Sequence, residues 1–164
     1  MVSILKLAAV FVAATVFHWA LATVFAYLGL QVNMMLVFAV ALCALLKPPY
    51  GYTAAFVCGL FLDFFGTKLF GNNAFMFTLS AWIVYFLGDR FDFESIFPQV
   101  ISVFGLSVFV SLGNLLLVQL FTASAVWPGL LSLLGGALVN AFLAPAVFLV
   151  LRNVFSKGFL CKES

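Results

Sequence analysis

Asp63 is the one acidic residue set well inside an apolar stretch, at the end of the run Gly59-Leu60-Phe61-Leu62-Asp63. A carboxylate among hydrocarbon is costly enough to be a functional-site candidate by default, and three roles fit it. It can cap a helix end near a membrane interface and meet Lys68, where Gly66 loosens the helix. It can join two helices, because Gly59 lies one turn earlier on the same face and lets another backbone come close. It can also relay protons for transport. A relay needs a second titratable group at similar depth, and the other candidate, His18, falls nearer the midplane; a lone histidine reads more simply as neutral and hydrogen-bonded to a neighbouring helix. Asn114 and Asn140 are the other deep polar side chains, and amides in lipid serve as interhelical hydrogen-bonding groups. By helical rise, Asn114 reaches the depth of Asp63, so these two are expected as neighbours, while Asn140 lies near the level of His18. Gly135-Gly136 and the spacings Ala9 to Ala13 and Ala22 to Ala26 allow close backbone approach. Trp127, Tyr50 and Tyr52 sit where amphipathic rings anchor in the headgroup zone.

Other chemistry lacks its parts. Cys43 and Cys58 fall in apolar runs and Cys161 in the tail, without paired-cysteine spacing or a histidine cluster, so neither a disulfide nor a zinc site is expected. The chain has no nucleotide-binding loop, no metal-ligand spacing and no nucleophile–histidine set, and neither catalysis nor a cofactor is expected. Seven basic residues giving a net charge of +2 are too scattered for nucleic-acid binding.

The elements that hold these residues follow from composition. The chain has 164 residues, of which 66% are hydrophobic and 7% charged, where a soluble domain carries about 25% charged residues. Twenty-two phenylalanines and a mean hydropathy of +1.29 require a bilayer as solvent. Continuous rather than alternating apolar runs exclude a barrel and predict an all-α, polytopic membrane protein built as one domain over residues 1–164. Six spans are predicted: Leu7–Leu28, Leu30–Leu46, Tyr50–Leu69, Ala74–Gly88, Pro98–Phe121 and Pro128–Leu151. Lys47-Pro48-Pro49 marks the firmest boundary. The third span, holding Gly51, Gly59, Asp63 and Gly66, is expected to be irregular, short or broken. Asp89 to Glu94 reads as a loop. Lys6 and Ala20-Leu21-Ala22 imitate a signal peptide, but the first apolar run is too long for one and reads as an uncleaved span. With both termini in the cytoplasm, Lys6, Lys47, Arg90, Arg152, Lys157 and Lys162 fall inside and only Lys68 outside, as the positive-inside bias favours.

From Leu36 to Tyr85 the chain resembles MreD, the bacterial rod shape-determining membrane protein family. Pro48, Gly51, the run from Gly59 to Asp63, and Gly66-Thr67-Lys68-Leu69-Phe70-Gly71 carry the likeness; the last helix adds Asn140, Pro145 and Arg152. Lys47-Pro48-Pro49 and the abundance of phenylalanine are local departures. The resemblance implies a non-enzymatic scaffold of the cell-elongation machinery in the bacterial cytoplasmic membrane. It also implies association with MreC and work alongside MreB, the RodA glycosyltransferase and a class B penicillin-binding transpeptidase. It further implies a fold like the substrate-binding S components of energy-coupling-factor vitamin transporters, so a vitamin-binding subunit is the rival reading. Catalytic residues do not carry over. Candidate helix-packing or partner-interface positions are Gly51, Gly59, Asp63, Gly71, Asn114, Asn140 and Pro145. Pairing with a second copy stays open.

Overall fold

In a computed structural model of the protein, the described residues are 2–66, 69–88, 93, 95–123 and 125–155, with side chains described from Ala8 onward. Among them are six helices and no strands: α1 (Val2–Ala26), α2 (Met34–Leu45), α3 (Pro48–Phe65), α4 (Asn72–Gly88), α5 (Ile96–Thr122) and α6 (Leu130–Phe155).

Local chemistry sets most of the ends. Asn33 caps α2, its side chain accepting from the Leu36 amide at 3.2 Å. The Pro48-Pro49 pair opens α3, where the missing amides are ones a helix leaves unbonded in any case. Gly71, at φ +89°, turns the chain into α4, and Gly129, at φ +87°, turns it into α6. Ala123 closes α5 in a left-handed conformation, its amide bonded to the Gln119 carbonyl. Hydroxyls on the helices bond back one turn, as Thr15 does to the Phe11 carbonyl at 2.9 Å and Ser80 to the Met76 carbonyl at 2.8 Å.

Helix α2 is the centre of the bundle, with nine of its twelve residues buried against α3, α4 and α6. Helix α1 lies at the margin; Ala14 is its one buried residue among those with described side chains. It meets α3 through edge-on ring pairs, Phe11 with Phe61 at 5.2 Å and Trp19 with Phe65 at 5.4 Å. The outside is apolar, with Phe121, Phe142 and Leu131 at 72%, 84% and 83% exposure, while Asp63, Asn140 and Ser107 are buried. That inversion is the distribution expected of a protein bathed in hydrocarbon. Among the described residues, three helices are long and apolar enough to cross a membrane: α1 over Ala8–Ala26, α5 and α6.

The predicted boundaries shift in informative places. The second span was expected as a helix from Leu30, but residues 30–33 are not helical and α2 has only 12 residues. Irregularity was expected in the third span instead, yet α3 is continuous over 18 residues. Gly51 and Gly59 mark close contacts rather than breaks, Gly66 ends the helix short of the expected Leu69, and a further departure from helix falls in the approach to α2. Pro128 was expected in the first turn of the last helix, which begins two residues later, at Leu130. The expected loop at Asp89–Glu94, apart from Phe93, lies outside the described residues, as do Lys68, Cys161 and the end of the tail.

Candidate functional site

Asp63 sits in the last turn of α3, 3% exposed, facing the start of α4. Its Oδ1 accepts from the Asn73 backbone amide and the Asn73 side-chain Nδ2, both at 3.0 Å, and its Oδ2 accepts from the Ala74 amide at 2.9 Å. The carboxylate thus does for α4 what an N-cap side chain does for its own helix. Gly71, which precedes the first residue of α4 and whose carbonyl accepts the Phe75 amide at 2.9 Å, has no side chain to offer. The positive end of the α4 dipole adds to the stabilisation of the anion.

Gly59 makes the approach possible. A Cβ there would lie 2.5 Å from the Asn73 carbonyl oxygen and 2.6 Å from the Ala74 Cα, both main-chain atoms that cannot move aside. One turn of α3 therefore carries a gap for the α4 backbone and the next an acceptor for its amides.

The same pairing occurs on α6. A Cβ on Gly136 would collide with the Gln31 carbonyl, and Gly135 faces the Leu30 side chain. One turn beyond Gly136, Asn140 Oδ1 accepts from the Asn33 amide at 3.1 Å, and its Nδ2 donates to Ser107 Oγ on α5 at 3.1 Å. In each case a glycine and, four residues later, a buried acceptor receive the entry of an inner helix. α4 docks on α3, and α2 docks on α6.

Asp63 and Asn114 are not bonded directly. Asn73 lies between them, its Oδ1 accepting from Asn114 Nδ2 at 2.8 Å. Beside this bond Gly113 takes the end of the Met76 side chain, with the sulfur 2.8 Å from where a Cβ would be. Two oxygens of this junction, Asn72 Oδ1 and Asn114 Oδ1, are buried without a hydrogen-bond partner.

Gly51 belongs to a third joint. The Tyr85 ring lies against it, Cys43 Sγ donates to its carbonyl at 3.4 Å, and the Tyr85 hydroxyl donates to the Leu46 carbonyl at 3.1 Å, closing the end of α2. Gly71 takes part in no close contact; a Cβ there has nothing within 4 Å, and its positive φ makes it a turn residue. Pro145 lies half-buried inside an unbroken α6. His18 is half-buried on α1, and the bond expected to a neighbouring helix is not made through Nδ1, which has no partner. Trp127 is exposed, and Tyr52 is half-buried against Tyr85 at 5.0 Å. The pairing of Asp63 with Lys68 lies outside the described residues.

Sequence reasoning passed over Asn73, Asn33, Ser107 and Tyr85. Asn72-Asn73 just before an apolar run is a helix-start signature that would have pointed to the first of these. The interior partners of Asn140 have no local sign. Among the described residues, no group of three or more histidine, cysteine or acidic side chains gathers. No family model, no curated protein and no solved structure matches this chain.

Proposed function

We propose that the protein is a six-crossing scaffold of the bacterial cytoplasmic membrane, similar in role to MreD, which holds a partner's membrane helix and performs no catalysis. The observation that carries this reading is where the polar groups go. Asp63, Asn73, Asn140 and Ser107 are engaged in joining one helix to another, while the outer surface is apolar and suited to contact within the bilayer. Helix association in lipid rests on such packing and a few hydrogen bonds.

Length supports six crossings even though α2 is short. Its 12 residues rise about 18 Å and the four non-helical residues before it add roughly 13 Å, together near a hydrocarbon thickness of about 30 Å. Non-helical backbone at membrane depth is tolerated where protein covers it, and here Asn140 answers the Asn33 amide. α3 and α4, with 18 and 17 residues, rise about 27 and 26 Å. An even number of crossings puts both termini on one side, and the distribution of lysine and arginine favours the cytoplasm for it. Labelling of Cys161 and of a cysteine placed near the amino terminus is expected only after the inner face is opened to an impermeant maleimide; access to one end alone from outside would overturn the topology.

The partner proposed is MreC, through its single helix, with MreB, RodA and a class B transpeptidase further along the assembly. Gentle-detergent purification is expected to retain a protein with one membrane helix and an outer domain, and depletion in a rod-shaped cell to give rounded cells. Unchanged shape and no such companion would sink the reading. The vitamin-binding alternative draws on Asn72 and Asn114, whose free amide oxygens resemble the start of a polar site. A vitamin retained by the purified protein in native mass spectrometry would favour that alternative.

A further inference from the structure

Gln31 carries an exposed amide at a depth where hydrocarbon surrounds the bundle. Its main chain lies against Gly136 on α6, six residues after Leu130, which puts it about 9 Å below the start of that helix. The 26 residues of α6 rise about 39 Å. With the excess over a core of about 30 Å shared between both ends, Gln31 falls about 4–5 Å inside the hydrocarbon. The other exposed amides and hydroxyls among the described residues are placed differently. Thr23 and Thr53 donate to carbonyls of their own helices, those of Trp19 and Pro49, both at 2.8 Å. Ser95, Gln119, Thr122 and Asn153 lie at helix ends.

The non-helical run that holds Gln31 is answered at its two ends. The Leu30 amide bonds the Phe25 carbonyl at 3.1 Å, and the Asn33 amide bonds Asn140 Oδ1 at 3.1 Å. Between them, among the described residues, nothing accepts from the Gln31 or Val32 amide and nothing bonds the Gln31 side chain. Side chains alternate along this run as on an extended chain, Val32 buried and Gln31 exposed, so the backbone itself turns the amide outward. We infer that Gln31 is the docking point for the partner's membrane helix, its amide bonding a side chain of the serine, threonine, asparagine or glutamine type on that helix. The occupant must bring hydrogen-bonding groups, because an amide facing acyl chains meets none. A neighbouring helix brings both a donor and an acceptor at this depth, and such bonds are a main adhesive between helices in lipid.

The inference rests on the scaffold reading above, and its test keeps the two apart. The full chain is purified in gentle detergent with co-expressed MreC. Gln31→Leu is expected to lower MreC retention about fivefold, the factor that a loss of about 1 kcal/mol produces, as for an interhelical hydrogen bond. Its unfolding temperature should hold or rise, since no bond within the chain is removed. Gln119→Leu, near the end of α5, is the control and keeps MreC bound. A benzophenone amino acid at position 31 is expected to cross-link to the MreC helix. Equal retention by Gln31→Leu and the wild type overturns the inference and leaves the scaffold reading standing. Cross-linking from position 31 to phospholipid alone overturns it too. So does a disulfide between two copies of Gln31→Cys, which would assign the amide to self-association. A wild type that retains no MreC removes the scaffold reading and the docking point with it.

Discussion

Asp63 shows how a buried carboxyl group can be held inside an apolar bundle by N–H donors of a neighbouring helix. Three N–H donors on α4 hold its two oxygens, and the two that are main-chain amides cannot swing away as a lysine can. Asp63→Leu leaves those donors without an acceptor, at about 1–3 kcal/mol for each buried group, and is expected to lower the unfolding temperature in detergent sharply. Asp63→Asn keeps an acceptor oxygen and should lose less; a loss equal to that of Asp63→Leu would show that one neutral acceptor oxygen cannot hold the joint. Gly59→Ala is expected to cost about 1–3 kcal/mol by overpacking, because the atoms it meets are backbone, whereas Gly105→Ala should be nearly silent in the same melt. Tyr85→Phe removes one hydrogen bond to Leu46, a change of about 1 kcal/mol. The sequence made Asp63 and Gly59 legible, because a lone acid and a glycine one turn apart in a greasy run have few uses. It could not show which donors answer the carboxylate. That depends on how α4 lies across α3; Asn72-Asn73 marks a helix start, but nothing local ties it to a carboxylate ten residues earlier.

Helices α2 and α4 each enter the bundle at a glycine and acceptor pair carried by another helix. The glycine sets how close the two backbones come, and the acceptor one turn later sets register. Gly136→Val should therefore displace residues 30–33, and Asn140→Leu should free the Asn33 amide; either is expected to speed hydrogen exchange in the first turn of α2 while leaving α4 protected. Exchange rising equally in both helices would mean that the joints are not separate. Apolar length revealed the helices themselves, and Pro48-Pro49 revealed the boundary between α2 and α3. The short α2 was not legible, since Leu30 to Leu46 reads as one apolar run broken only by Gln31 and Asn33 near its start. A capping residue such as Asn33 inside a hydrophobic run gains meaning only when Asn140, over a hundred residues later, is seen to receive its amide.

For the whole molecule, composition dictated an apolar exterior and an all-helical interior, because hydrocarbon cannot satisfy backbone groups. Which outer faces are covered by protein and which by lipid does not follow from composition, since both coverings are apolar. The bond between Asn33 and Asn140 also bears on how the chain is made. It links the entry of α2 to α6 across 107 positions of sequence, so a ribosome must have made α6 before α2 acquires its seat. Until then the central helix waits with an open entrance, a vulnerable interval for a protein threaded into a membrane one segment at a time. Nascent chains halted before Leu130 should thus be cut by protease near Gln31, and release of the final helix should abolish that cleavage. Helix α6 would then be the bolt that locks a door made more than a hundred residues earlier.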